Sequence, residues 1–246
     1  MVELAIIGGT GLTSLSGLEI VSREVVYTPY GEPSGFMTHG KLVGREVVFL
    51  PRHGYAYTIP PHLVNYRANI WALKSIGIRR VLAIAAVGGI RDSMQPGWIA
   101  FPDQIIDYTY GRAHSFFELD SESIEHVDFT HPYDASMRQQ LIAAAYSANL
   151  QFVAKGTYGA TQGPRLETAA EINRMEHDGC DLVGMTGMPE AALAREQNLA
   201  YACCAVITNR AAGKSHADIH AEIETYLNRG MDQVRKLLPV LLESDR

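Results

Sequence analysis

The stretch VLAIAAVGG at residues 81–89 predicts a buried β-strand that ends in two glycines. Its apolar and small residues show no alternation with polar ones, so both faces of the strand are expected to be covered. The stretch YACCAVIT at 201–208 has the same character. Because helix-like runs lie between such strands, the sequence predicts an α/β fold around a buried sheet.

The rest of the chain continues this pattern. Further strand-like runs are short, apolar or β-branched, and fall at 3–9, 46–51, 98–107, 155–161 and 181–186. Helix-like runs fall at 61–77, 134–150, 167–179, 189–198 and 219–243. Gly77 is predicted to terminate the first helix, Asp134 to cap the second, and Pro239 to bend or end the last. No linker or repeat is apparent, so residues 1–246 are predicted to form a single domain.

Composition excludes several classes of function. The chain has 246 residues and a formal net charge of −6, with a pI near 5.8, which gives no reason to expect nucleic acid or an anionic membrane as partner. No apolar run is long enough to span a membrane, and no signal peptide is apparent. The three cysteines show no metal or disulfide spacing, so a reducing cytoplasm is expected, with Cys203 and Cys204 packed in the core.

Two glycine-containing stretches resemble phosphate-binding loops. In AIIGGTGLTSL (5–15), Gly9 and Gly11 fit a dinucleotide fingerprint, but Ser14 stands at its third glycine. The alternatives are a turn that holds phosphate through backbone N–H groups and the Thr10 hydroxyl, or a tight turn alone. GKS at 213–215 does not complete a Walker loop, because Thr208 stands where a glycine is needed.

Other candidate oxyanion donors follow strand-like runs. Arg52 and His53 follow one strand, and Thr186 lies between another strand and a helix that Pro189 is predicted to begin. Taken singly, each could be a surface or turn residue. The irregular stretch 108–133 is long for a compact domain, so it is expected to serve function or an interface.

Four stretches together resemble the trimeric purine nucleoside phosphorylase family, and more narrowly its methylthioadenosine phosphorylase branch. They are IIGGTGL (6–12), RHG (52–54) with VNYRANIWALK (64–74), GPRLETAAEI (163–172) and MTGMPEAALARE (185–196). The resemblance implies phosphorolysis, in which orthophosphate attacks the anomeric carbon of a purine nucleoside. It also implies a mixed, partly barrel-like central sheet flanked by helices, a homotrimer, no metal and no organic cofactor.

The resemblance also implies roles for particular residues. Met185 would lie under the ribose, and His126 would reach into the sugar site of a neighbouring subunit. Leu166 and Gly88 would line the base site. The residues that would surround the phosphate are Thr10, Arg52, His53, Ala85, Ala86 and Thr186.

Asn209 and Glu167 depart from the methylthioadenosine branch, which has an aspartate and a small hydroxyl residue at these positions. Both departures match the 6-oxopurine-specific branch. A Glu167 carboxylate can accept from the purine N1–H, and Asn209 can donate to O6 and accept from N7–H as the purine leaves. Adenine presents the reverse pattern at N1 and at position 6. Taken singly, Glu167 could be a first-turn helix carboxylate and Asn209 a turn residue.

The 5′ end of the sugar site is less defined. His220 falls near the position that distinguishes a 5′-hydroxyl from a 5′-methylthio group, and Tyr57 stands where the branch usually has histidine. Inosine, guanosine and 5′-methylthioinosine therefore remain open as substrates. A methylthioadenosine phosphorylase, a non-catalytic nucleoside-binding protein and a nicotinamide-dependent enzyme are the alternatives.

Overall fold

The computed structural model describes residues 3–117 and 124–244, so residues 118–123 of the irregular stretch lie outside the described residues. Its strands are β1 Leu4–Gly8, β2 Glu19–Glu24, β3 Met37–Leu42, β4 Arg45–Pro51, β5 Arg80–Gly89, β6 Ile99–Ala100, β7 Gln104–Asp107, β8 Phe152–Val153, β9 Thr157–Ala160, β10 Leu182–Gly184 and β11 Ala200–Arg210. Its α-helices are α1 Tyr66–Ser75, α2 Ala135–Ser147, α3 Ala169–His177, α4 Glu190–Glu196 and α5 Ile219–Ser244, with a 3₁₀ turn at Pro61–Leu63.

The strands form one mixed sheet in the order β2-β3-β4-β1-β5-β10-β9-β7, with a branch in which β11 pairs with β5 and β6, and β6 pairs with β8. The pairs β4–β1, β1–β5 and β5–β11 are parallel, whereas β10–β5 and β11–β6 are antiparallel. The predicted α/β fold with a mixed central sheet flanked by helices is confirmed.

Two apolar layers cover the sheet. Along β1, Ala5 and Ile7 face the layer that contains α1 and α4, and Leu4 and Ile6 face the layer that contains α2 and α5. All five residues of β1 are buried, as are the central nine residues of β11. This confirms the prediction that non-alternating strands are covered on both faces. Cys203 and Cys204 are unpaired and buried, as predicted.

A gap beside β5 creates room within the sheet. On one edge, β5 pairs with β11 along its whole length. On the other edge, it pairs with β1 over Arg80–Ala83 and with β10 at Gly88 and Gly89. In the described parts of the chain, no strand pairs with residues 84–87 on that second edge, so their backbone borders an opening between β1 and β10. A separation of this kind is where α/β sheets bind ligands.

Three strands were missed by the sequence analysis, and one was misjudged. All six residues of β2 are exposed, and β3 carries His39 and Gly40, so neither shows the apolar pattern that was used to find strands. The predicted strand 98–107 is two strands, β6 and β7, which Pro102 helps to separate because it lacks a backbone N–H. The two-residue β8 was also missed.

The helix boundaries agree better with the predictions. The Asp134 side chain caps α2 by accepting from the backbone N–H of Met137, and Gly77 follows the end of α1 with a φ of 91°. Pro239 does not end α5, which continues to Ser244. No helix in the described ranges has the length and apolar character to cross a membrane.

Candidate active site

A cavity of about 610 Å³ opens at the gap between β1 and β10. It is lined by nearly all the residues that were predicted to form a site: Thr10, Arg52, His53, Tyr57, Ala85, Ala86, Gly88, Leu166, Glu167, Met185, Thr186, Asn209 and His220. His126 is exposed and does not line this cavity. Residues from distant parts of the sequence therefore meet in one place, with His126 apart from them.

The glycine turn after β1 approaches the sheet backbone closely. A Cβ at Gly9 would lie 2.6 Å from the Ile84 carbonyl oxygen and 2.9 Å from Arg52 Nη1, so only glycine fits there. The chain between this turn and β2 contains no helix, so the fingerprint for a dinucleotide is not completed. The Thr10 hydroxyl lies 2.7 Å from the Tyr57 hydroxyl at the cavity wall.

Arg52 is buried and paired with a carboxylate that the sequence analysis did not identify. Its Nε and Nη2 donate to the two carboxylate oxygens of Glu190 at 2.7 and 2.8 Å, and its Nη1 donates to the Ile84 carbonyl at 2.9 Å. Burial alone would lower the pKa of the guanidinium, but the charge and hydrogen bonds of Glu190 raise it above its usual range. Two of the five N–H groups remain for a ligand.

His53 is held in one orientation by the backbone. Its Nδ1 lies 2.7 Å from the Ile59 carbonyl oxygen, which can only accept, so Nδ1 carries the proton. Burial lowers the pKa of the imidazole, and the nearby Arg52 charge lowers it further. The neutral ring therefore presents Nε2 as an acceptor, whereas the sequence analysis expected His53 to act as a second donor. A partly protonated phosphate can donate to this nitrogen.

The turn after β10 places Met185 and Thr186 in the cavity wall. Thr186 is buried, and its backbone N–H lies 3.5 Å from the Tyr158 hydroxyl oxygen. The residue that caps α4 is Pro189, so Thr186 is not a helix cap. The Thr186 side chain also forms a hydrogen bond with Tyr158, and Thr186 lines the cavity, where a ligand can reach it.

Glu167 is not a first-turn helix carboxylate. It precedes Thr168, which caps α3 in a capping box with Glu171. One Glu167 oxygen accepts from the Thr161 hydroxyl at 2.6 Å. The second carboxylate oxygen is left to accept a hydrogen bond from a ligand, as recognition of a purine N1–H requires.

Asn209 lies where β11 changes register against β5. The pairing shifts between Ile207 and Asn209, and Asn209 is opposite Gly88. Its Nδ2 donates to the Arg210 carbonyl at 2.8 Å, which fixes the orientation of the amide, and its Oδ1 accepts from the Thr208 hydroxyl at 2.9 Å. One N–H and one lone pair therefore remain for a ligand. A Cβ at Gly88 would lie 3.2 Å from Asn209 Nδ2, so the absence of a side chain at Gly88 leaves room for the Asn209 amide.

Tyr57 and His220 lie near the open side of the cavity. Tyr57 is half-exposed, has a φ of 53° and places its ring edge-on to His53 with 5.1 Å between centroids. A positive φ is unfavourable for a bulky residue, so the surrounding contacts hold Tyr57 in place. His220 lies in the first turn of α5, beside Ile219 and Ile223, which also line the cavity.

Two further residues have partners that the sequence did not reveal. Glu190 lies in the first turn of α4, and its oxygens accept from Arg52 and from the Tyr201 hydroxyl. The signal in the sequence that could have pointed to a buried role for Glu190 was its place as the one charged residue in the run PEAALA (189–194). Lys214, in the GKS stretch, forms an ion pair with Glu176 at 2.5 Å and does not line the cavity.

The fold and cavity define an α/β protein with a ligand site at a separation in its sheet, where oxyanion donors lie at one end and a carboxylate and an amide at the other. The chain belongs to the phosphorylase superfamily, whose family model matches residues 3–242.

Relatives and solved structures agree with this membership. The chain is 54% identical over 245 residues to a probable S-methyl-5′-thioinosine phosphorylase of Pseudomonas syringae pv. tomato, covering 99% of this chain and all of that protein. It is 43% identical to a 6-oxopurine nucleoside phosphorylase of Pyrococcus furiosus, covering 97% of this chain and 91% of the other. The structure of methylthioadenosine phosphorylase from Schistosoma mansoni superposes with a TM-score of 0.90 at 32% identity, covering 99% and 91% of the two chains.

Proposed function

We propose that this chain catalyses phosphorolysis of purine nucleosides with a preference for 6-oxopurines, giving a free purine and a sugar 1-phosphate. The observation that carries the proposal is the pair of unsatisfied groups at one end of the cavity, one Glu167 oxygen and one N–H and lone pair of Asn209. They match the N1–H, O6 and N7 of a 6-oxopurine. Adenine would place an acceptor against the Glu167 carboxylate, a mismatch that costs about 1–3 kcal/mol.

The opposite end of the cavity suits orthophosphate, the co-substrate. Arg52 offers two N–H groups, and the hydroxyls of Thr10 and Thr186 lie in the same wall. Phosphate held there acts as nucleophile and as counter-ion to an oxocarbenium-like sugar, so positioning supplies much of the rate. The free N–H of Asn209 donates to O6 and stabilises the negative charge of the leaving purine, and once N7 has taken a proton from solvent, Asn209 Oδ1 accepts a hydrogen bond from N7–H. No metal or organic cofactor takes part in this proposal.

A 5′-methylthio group is the substituent we propose for the sugar. Ile219 and Ile223 line the cavity on either side of His220 along the start of α5. An apolar wall favours a thioether over a hydroxyl because burying apolar surface is favourable and an unpaired hydroxyl is not. The relatives named as probable S-methyl-5′-thioinosine phosphorylases agree with this choice.

A product assay tests this function. Purified protein is incubated with inosine, adenosine and their 5′-methylthio analogues, with and without phosphate. The expected result is release of hypoxanthine from 5′-methylthioinosine only when phosphate is present, with methylthioribose 1-phosphate as the second product. Release of adenine in preference to hypoxanthine would instead indicate a methylthioadenosine phosphorylase. No phosphate-dependent release from any of the four would indicate a protein that only binds nucleosides.

We also propose that the chain acts as a homotrimer, with His126 contributing to the sugar site of a neighbouring copy. His126 is exposed and does not line the cavity of its own subunit, so it can serve such a site only in another copy. Light scattering is expected to give a mass three times that of the 27.0 kDa chain. The variant His126→Ala is expected to raise KM for the nucleoside and to leave that mass unchanged. A monomer with full activity would contradict both statements.

A further inference from the structure

Arg112, in the irregular stretch between β7 and α2, makes hydrogen bonds to Met185, which lines the cavity, and to the segment that begins at Thr161 and leads to Glu167. Its Nη1 donates to the carbonyl oxygens of Met185 at 2.9 Å and Met188 at 2.5 Å. Its Nη2 donates to the carbonyls of Thr161 at 3.2 Å and Gln162 at 2.7 Å, and its Nε donates to the Gln162 side chain at 3.1 Å. Every N–H of the guanidinium is used, so the planar group fixes the distances between its acceptors.

These acceptors belong to the segments that carry the candidate base and sugar residues. Thr161 is the residue whose hydroxyl holds Glu167, and Met185 lies in the cavity wall next to Thr186. Arg112 also lies over the Tyr66 ring, with its Cζ 5.4 Å from the centroid, and the Tyr66 hydroxyl donates to the Pro61 carbonyl. One side chain thereby joins the end of β9, the turn after β10 and the edge of the 3₁₀ turn.

The charge of Arg112 is directed entirely to neutral acceptors. Within residues 3–117 and 124–244, no ion pair joins it to a carboxylate, whereas Arg52 is paired with Glu190. Arg112 does not line the cavity itself. A charged donor that binds four backbone carbonyls orders the chain around it, because charge-assisted hydrogen bonds are stronger than neutral ones.

We propose that Arg112 is a positioning residue for purine selection. It fixes the position of the Thr161–Glu167 hydrogen bond relative to the Met185–Thr186 turn. This rests on the proposed function, since it concerns how the enzyme distinguishes 6-oxo from 6-amino purines. Without the guanidinium, the end of β9 can separate from the turn after β10, and Glu167 loses its fixed position relative to the sugar and phosphate.

The test compares Arg112→Gln with Arg138→Gln, a matched control. Arg138 is also partly buried and donates to three backbone carbonyls, those of Phe101, Pro102 and Ala154, but it does not line the cavity and bonds to none of its walls. The readout is the ratio of kcat/KM for 5′-methylthioinosine to that for 5′-methylthioadenosine, which does not depend on the folded fraction. In Arg112→Gln the ratio is expected to move at least about tenfold toward one, because misplaced polar groups discriminate less between the two purines. Arg112→Lys is expected to give an intermediate ratio.

The control should keep the wild-type ratio within about twofold, because changes remote from the site leave relative transition-state binding intact. An unchanged ratio in Arg112→Gln, with a fall in thermal stability like that of Arg138→Gln, would overturn the proposal and leave Arg112 a structural residue. A wild-type ratio of one or below would contradict the proposed function instead. The Kd of hypoxanthine, measured by calorimetry, then decides the role of Arg112: a rise of about tenfold in Arg112→Gln alone supports it, and no rise refutes it.

Discussion

The double variant Glu167→Ser, Asn209→Asp is expected to abolish the purine preference. In the proposed site, the Glu167 carboxylate selects N1–H, and the free Asn209 N–H selects O6. A serine can donate to the unprotonated N1 of adenine, and an aspartate can accept from its 6-amino group. Each buried mismatch costs about 1–3 kcal/mol, so the two exchanges should together lower the ratio of kcat/KM for 6-oxo over 6-amino substrates by about 10²-fold or more.

The single variants give the intermediate steps. Each single variant is expected to lower the ratio of kcat/KM for 6-oxo over 6-amino substrates by about tenfold. The two free-energy changes should add, except for coupling through the purine that both side chains contact. In Asn209→Asp, a carboxylate oxygen faces the Arg210 carbonyl at the present 2.8 Å, so some stability is lost, and the thermal midpoint should be recorded alongside. Asn149→Asp, the same exchange at an exposed position, is the control. A ratio that stays at the wild-type value in the double variant would show that these side chains do not select the base.

Replacing Glu190 by alanine is expected to be strongly destabilising. Glu190 is fully buried, and its removal leaves the Arg52 guanidinium, itself 1% exposed, without its counter-ion. Breaking a buried pair by removing one partner costs about 3–5 kcal/mol. For a chain of this length each kcal/mol lowers the thermal midpoint by roughly 2–4 °C, so a fall of about 6–20 °C is expected.

Two comparisons make that result specific. Glu190→Gln keeps an acceptor for Arg52 without the charge and should lie between alanine and wild type. Asp232→Ala breaks an exposed ion pair with Arg235 on α5 and should cost less than about 1 kcal/mol. Added phosphate should raise the midpoint of Glu190→Ala more than that of wild type, because an anion can replace the missing charge. Equal midpoints for Glu190→Ala and Asp232→Ala would contradict the importance of the buried pair.

Much of the fold and site could be predicted from the sequence because the signals were local or came from the resemblance. Buried strands such as β5 and β11 are uniformly apolar, and Asp134 caps α2 by a short-range rule. The exposed strand β2 could not be found in this way. Its pairing with β3 depends on tertiary contacts, which override the weak propensity of its residues.

The partners of the site residues could not be predicted from the sequence. Arg52 and Glu190 are 138 positions apart, and Arg112 bonds to acceptors about 50 and 75 positions away. No periodicity in the sequence encodes such pairs, and only the folded chain brings them together. For the same reason the tautomer of His53, which depends on the Ile59 carbonyl, appeared only in the structure.

The central claim is that Glu167 and Asn209 make this cavity a 6-oxopurine site. The most direct measurement is the ratio of kcat/KM for phosphorolysis of 5′-methylthioinosine to that of 5′-methylthioadenosine by the unaltered protein. The two buried mismatches predict a ratio of at least about 10² in favour of 5′-methylthioinosine. A preference for 5′-methylthioadenosine would contradict the claim.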